Sequence, residues 1–281
     1  MSVVTPPNIL RITRGLARPG KRAELARVRA RRSQALAGAS WPRPSVALTS
    51  ITGPDEVWRL TGYDAFEAWH EDLETTGRMP VLSSVLEMLD REEGDLLLES
   101  REVTAVFHPE ISYRPEFDWA QMRLLDVITI QLRPGHHAEY LQNRKLVMEA
   151  HARASLDEHI LIYTVSSGSR SGTYLILRPL KLMHDLDAME EMHGKRYGEI
   201  LGNANRKRVI ELFAASARAR RRGVLRGGQT REPCHRRLGR LGLGLLGGLC
   251  RKWPGRSVSE PCRGRSARRA CGVGHGHEAR C

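Results

Sequence analysis

Few residues of this chain have the type and spacing to do chemistry. His70 stands in Trp69-His70-Glu71-Asp72, and an imidazole titrating near neutrality could act there as a base. The simpler reading makes it a boundary residue on an acidic helix face, because no oriented partner can be named for it. Trp58 and Tyr174 fall at similar places on two apolar-rich segments, Tyr163 lies within another, and His159 just precedes it. If sheets enclose a cavity, Trp58, His70, His159, Tyr163 and Tyr174 are the candidate pocket residues, since ligand sites are mostly apolar with a few polar groups. Ordinary packing is the competing reading. Arg18 and Arg133, each followed by Pro-Gly, could present a cation to an anion but suit helix-entry turns better. There is no Gly-rich phosphate loop, no HExxH and no GxSxG.

These residues must be held by elements, and the elements repeat. Shifted by 115 positions, Arg18-Pro19-Gly20 lands on Arg133-Pro134-Gly135, Ala23-Glu24 on Ala138-Glu139, Arg29 on Arg144, Ala39-Ser40 on Ala154-Ser155, and Gly53 on Gly168. Positions 18–53 match at 12 of 36 places without a gap. A period this long marks a duplicated small domain rather than a solenoid unit. Segments 9–16 and 124–132 are of strand length and stop at Arg-Pro-Gly. Segments 21–36 and 136–152 are rich in helix formers. Segments 46–52 and 160–166 are second strands, 57–62 and 173–178 third strands, joined by hairpin-like connections. Asp64 to Glu67 resembles a capping box. Phe66, Trp69 and Leu73 then mark a buried helical stripe, as do Leu186, Met189 and His193 in the second copy. Another helical piece carries Leu82, Val85, Leu86 and Leu89, and 102–108 is the last strand of copy one. The order is strand-helix-strand-strand-helix-strand, a split βαβ unit. The fold class is therefore α+β: two tandem ferredoxin-like repeats, at 8–108 and 123–216, joined by a linker at 109–122. Their two four-stranded sheets are expected face to face, forming an intramolecular α+β barrel with the helices outside.

The repeated strand–Arg-Pro-Gly–Ala-Glu helix, Thr49-Ser50-Ile51-Thr52-Gly53 and His108-Pro109-Glu110-Ile111-Ser112-Tyr113 resemble the dimeric α+β barrel superfamily, which includes NIPSNAP-type proteins and antibiotic-biosynthesis monooxygenases. The resemblance implies a small-molecule binding protein or a cofactor-independent oxygenase-like enzyme. A non-catalytic NIPSNAP-type scaffold is the alternative. Haem-degrading members use an Asn, a Trp and a His in a pattern that Asn8, Trp69 and His70 do not match. No catalytic residue is carried over, and no cofactor is expected.

Charge divides the chain. Of the formal +13, residues 217–281 hold 17 Lys+Arg against three acids, so the first 216 residues are close to neutral. All five cysteines lie after residue 216, spaced by 16, 12, 9 and 10 without a CxxC pair, so no metal site is expected. Residues 217–281 read as a disordered Arg/Gly/Cys-rich tail that leaves the second repeat without its last strand. Out-of-frame translation would explain that composition, and a nucleic-acid-binding arm is the other reading, although Trp253 is its only aromatic. No secretory signal or spanning segment is visible, and the cytoplasm is the default location.

Overall fold

A computed structural model describes residues 5–227 apart from Pro42, Pro44 and Lys195; the side chains of Ala120 and 192–198 also lie outside the description. The expectations for the five cysteines, for Trp253, for the His193 side chain and for 228–281 fall outside these residues. The first half runs β1 (Ile9–Ala17), α1 (Arg22–Gly38), β2 (Ser45–Ser50), β3 (Glu56–Tyr63), α2 (Phe66–Gly77), α3 (Pro80–Leu96) and β4 (Leu97–Phe107). The second runs β5 (Leu124–Leu132), α4 (His137–Ala154), β6 (Leu161–Ser167), β7 (Thr173–Leu180), α5 (Asp185–Gly194), α6 (Arg196–Ser216) and β8 (Ala217–Gly227).

The eight strands close into one antiparallel barrel in the order β1-β3-β2-β8-β5-β7-β6-β4. Each half contributes four neighbouring strands, and two seams join them. At one, Leu48 pairs with Gly227 and Ser50 with Leu225. At the other, Thr104 pairs with Ser167 and Phe107 with Tyr163. Three left-handed backbone positions recur at the 115-residue spacing: Gly20 and Gly135, Ser40 and Ser155, Gly53 and Gly168. The Arg-Pro-Gly and Ala-Ser identities are thus backbone requirements: a turn before the helix and a left-handed residue after it.

The second half does not lack its last strand. Residues 217–227, expected in the tail, form β8, paired with β5 from Leu124↔Arg226 to Leu132↔Ala217. Arginine obscures the alternation, but the strand tolerates it because its outer face meets acids. Arg222 reaches Asp126 and Glu190 there.

Two further expectations on α2 are corrected. Its N-cap is Ala65 and no side chain caps it; Asp64 falls one position early, and its carbonyl accepts from Asn8 Nδ2 instead. Phe66 and Leu73 are 56% and 58% exposed. The first-half sheet is already covered by α1 and α3, which contact each other, so α2 is left to the rim. There it buries Asp72, paired with Arg43 at 2.8 Å. Trp69 stacks on Tyr63 with Arg11 over its ring at 5.3 Å. In α5, Met189 is buried and Leu186 packs against the same small cluster.

Inward-facing side chains fill the barrel: Ile12, Leu48, Trp58, Leu60, Val103, Leu125, Val127, Leu161, Tyr163, Leu175, Leu177 and Leu225 among them. Small eight-stranded barrels have room for little else. Phe117 from the inter-half segment enters this core and Trp119 packs against it. Among the described residues, no helix is long and apolar enough to cross a membrane.

Candidate functional site

The five pocket candidates are not brought together. Trp58 and Tyr163 point into the barrel, where β2–β3 and β6–β7 pairing places them in matching layers: Leu48↔Trp58 and Tyr163↔Leu175. Both are fully engaged. Trp58 Nε1 donates to Glu56 at 2.8 Å, and Arg14, bound to both oxygens of Glu56 at 3.0 and 2.9 Å, lies 4.3 Å over the Trp58 ring. The Tyr163 hydroxyl donates to the Pro7 carbonyl at 3.1 Å, and burial pushes its pKa far above the usual phenol range. The interior space beside Trp58, Arg14, Thr129 and Thr173 is about 20 Å³, room for about one water molecule. Around these side chains the barrel interior is packed core.

Tyr174 faces the other way. It lies between sheet and α4, its hydroxyl 2.8 Å from His137 Nδ1 and its ring centroid 4.5 Å from that of Tyr140. Matching by sequence fails because the chain from Tyr163 to Leu175 is two residues longer than the chain from Leu48 to Trp58. Leu175, not Tyr174, is the counterpart of Trp58, and a one-residue offset reverses the face of a strand. His159 pins the inter-half segment: its Nδ1 lies 2.7 Å from the Arg114 carbonyl, which fixes a proton on that nitrogen, and it packs on Phe117 at 5.3 Å. His70 is exposed on α2, and its acidic neighbours Glu71 and Asp72 engage Arg43.

An open concavity lies outside the barrel, over the second-half sheet. It is a cleft of about 410 Å³ lined by Arg178 of β7, Glu190 of α5, and Arg220 and Arg222 of β8. Beneath it Asp126 of β5 is wholly buried. Register builds the cluster. Asp126 sits opposite Arg178 on one side, and on the other Ile128 and Ile130 sit opposite Arg222 and Arg220. Outward side chains on adjacent strands therefore converge. Arg178 donates to Asp126 Oδ2 through Nε at 2.8 Å and through Nη2. Arg222 donates to Asp126 Oδ1 at 2.9 Å and to Glu190 at 2.8 Å. Partial burial lowers the Arg222 pKa, but these hydrogen bonds and charges outweigh it and hold the guanidinium above its ordinary value. Three arginines thus face two acids. Among the described residues, Arg220 is the cation of this wall that makes no ion pair. The sequence carried one signal for this site, a lone charged residue, Asp126, in the apolar-rich Leu124–Leu132, which once buried demands a cationic partner.

No protein-family model matches the chain, and no curated protein matches it. Solved structures do. An anthrone oxidase-like protein aligns with TM-score 0.53 at 8% identity, over 81% of this chain and 94% of that one. The chain has the dimeric α+β barrel fold. A candidate monooxygenase from Fusobacterium nucleatum aligns with TM-score 0.52 at 8% identity, over 79% and 93%. A mutant chlorite dismutase from Candidatus Nitrospira defluvii follows at TM-score 0.49 and 9% identity, over 81% and 94%. At such identities the dimeric α+β barrel likeness is one of architecture, and the activity must be argued from the site.

Proposed function

We propose that this dimeric α+β barrel protein binds a small molecule bearing a carboxylate or phosphate group, held by Arg220 and Arg222 in the cleft over β5, β7 and β8. The observation that carries the reading is Arg220: a guanidinium on the wall of a 410 Å³ cleft, without an ion pair among the described residues, beside arginines already neutralised by Asp126 and Glu190. Guanidinium groups take planar oxyanions through paired N–H donors. The volume lies in the range of small-molecule sites.

The test is calorimetric titration of the full chain with inorganic phosphate and with succinate. Saturable binding that weakens about tenfold in Arg220→Ala, the loss of one charged hydrogen-bonding contact, supports the proposal. Absent binding, or equal affinity in the variant, defeats it. Capture of a DNA oligonucleotide but neither small anion would instead favour the nucleic-acid reading. A second reading, a non-catalytic NIPSNAP-type scaffold, is supported by the filled barrel interior, and would be favoured by failure of both titrations. If the bound molecule is turned over, cofactor-independent oxygenase-like chemistry, in which the substrate supplies the reactivity, is the class the resemblance favours.

We further infer that the two halves descend from one ferredoxin-like module copied end to end, with boundaries near residues 108 and 123. The paired left-handed positions and the repeated strand register support this history.

A further inference from the structure

The two halves treat the same space between sheet and helices differently. In the second half, Val147 of α4 and Ile176 of β7 contribute to an apolar cluster with Ile128, Ile130 and Phe213. Their counterparts in the first half are Arg32 of α1, by the 115-residue shift, and Arg59 of β3. The sheet register makes the second match explicit: Arg59 pairs with Thr13, and Ile176 with Ile128. The architecture therefore does not need cations at either position.

The charges there do not balance. Arg29, Arg32 and Arg59 meet Glu93 and Asp90. Arg29 takes Glu93 through Nε at 3.1 Å and Nη2 at 2.7 Å, with both side chains about nine-tenths buried. Arg32, 9% exposed, reaches Asp90 through Nη2. Arg59 has one weak contact, Nη2 to Thr13 Oγ1 at 3.4 Å. Two N–H groups, Arg59 Nη1 and Arg32 Nε, are buried with no hydrogen-bond partner. Burial, followed by repulsion from Arg32, lowers the Arg59 pKa to about 10, with Glu93 opposing and Arg29 adding to the fall. It remains a cation at neutral pH. Arg59 is half-buried, and a partly buried cation with a buried open donor is costly wherever nothing answers it.

We propose that the space between α1, α3 and β3 is a binding site for a small inorganic anion of halide size, held by Arg59 Nη1 and Arg32 Nε. The anion supplies the missing negative charge and satisfies both orphaned donors. One uncancelled positive charge and two single N–H donors match a monovalent inorganic ion. The site is separate from the Arg220 cleft, in the other half of the barrel.

The experiment is thermal unfolding of the full chain and of its Arg220→Ala variant, in which the cleft no longer competes for the gluconate carboxylate, in sodium chloride and in sodium gluconate at equal ionic strength. Chloride at ten times its dissociation constant should raise the midpoint by about 3–5 °C over gluconate. Arg59→Ile and Arg32→Val, which install the second-half residues, should each abolish the increment. Arg220→Ala should retain it. A bromide-soaked crystal of the unaltered chain should show an anomalous peak between Arg32 and Arg59, which keeps the test decisive if both variants fail to fold. Equal midpoints in the two salts for Arg220→Ala, an increment that survives Arg59→Ile and Arg32→Val, or no bromide at that place would overturn the proposal.

Discussion

The buried polar groups of this protein differ sharply in how well they are answered. Asp126 is wholly buried and takes both Arg178 and Arg222. Removing one member of a buried ionic cluster strands the others. Asp126→Asn should therefore cost about 3–5 kcal/mol in urea unfolding at pH 7, and a loss below about 1 kcal/mol would show that the arginines find other partners. Tyr140 is the opposite case. Its hydroxyl is buried without a hydrogen-bond partner, and burial pushes its pKa up to about 12, partly offset by Arg144. Because the folded pKa is raised, the neutral phenol's contribution is complete below the unfolded value of about 10 and is lost as pH climbs through about 12. At pH 11 the loss from this group is about 1.4 kcal/mol. Tyr140→Phe should escape that loss and be about 1 kcal/mol more stable at pH 7, since it removes an unanswered hydroxyl. Urea midpoints of both proteins at pH 7 and pH 11 decide it; parallel falls with pH would contradict the assignment.

Among the elements, two turns that look identical in sequence carry different loads. Gly53 and Gly168 occupy matching places after the second strand of each half, both with positive φ, +84° and +79°. An added Cβ at Gly53 meets nothing within 4 Å, whereas at Gly168 it falls 1.9 Å from the Glu102 carbonyl oxygen. Gly53→Ala should cost only the left-handed strain, about 1–2 kcal/mol. Gly168→Ala must also push the hairpin off β4, breaking the β4–β6 seam, and should cost roughly twice as much or more. Equal thermal shifts would argue against a tight seam there. This contrast marks how far sequence reasoning reaches. The 115-residue repeat made the order of strands and helices legible, because backbone requirements at Arg-Pro-Gly and at the glycine after the second strand leave identities behind. It did not reveal which side chain faces inward after an insertion: two extra residues before β7 turn Tyr174 away from the barrel and put Leu175 beside Tyr163. Nor could helical spacing show that the sheet under α2 was already covered, leaving Phe66 and Leu73 in solvent.

For the whole molecule, closure depends on the strand that was hardest to read. β8 lies between β5 and β2 and is the sole connection of the halves on that side of the ring. Its arginines concealed it because their partners, Asp126 and Glu190, come from distant segments that no local pattern exposes. Its Leu225 enters the barrel core, while Val224 joins a small cluster outside with Leu124, Leu180 and Met189. A chain ending at residue 216 would bare two strand edges, β5 and β2, withdraw Leu225 from the core and leave Asp126 without Arg222. Exposed strand edges template pairing with other chains, so such a chain should lose its cooperative thermal transition and elute as aggregates in size-exclusion chromatography with light scattering. A chain ending at residue 227 keeps the eight described strands and both seams, and should retain a cooperative thermal transition. A cooperative melt for the chain ending at 216, at a midpoint matching that of the chain ending at 227, would mean that the ring closes without β8 and that the register linking Leu124–Leu132 to Arg220 and Arg222 is not what holds the halves together.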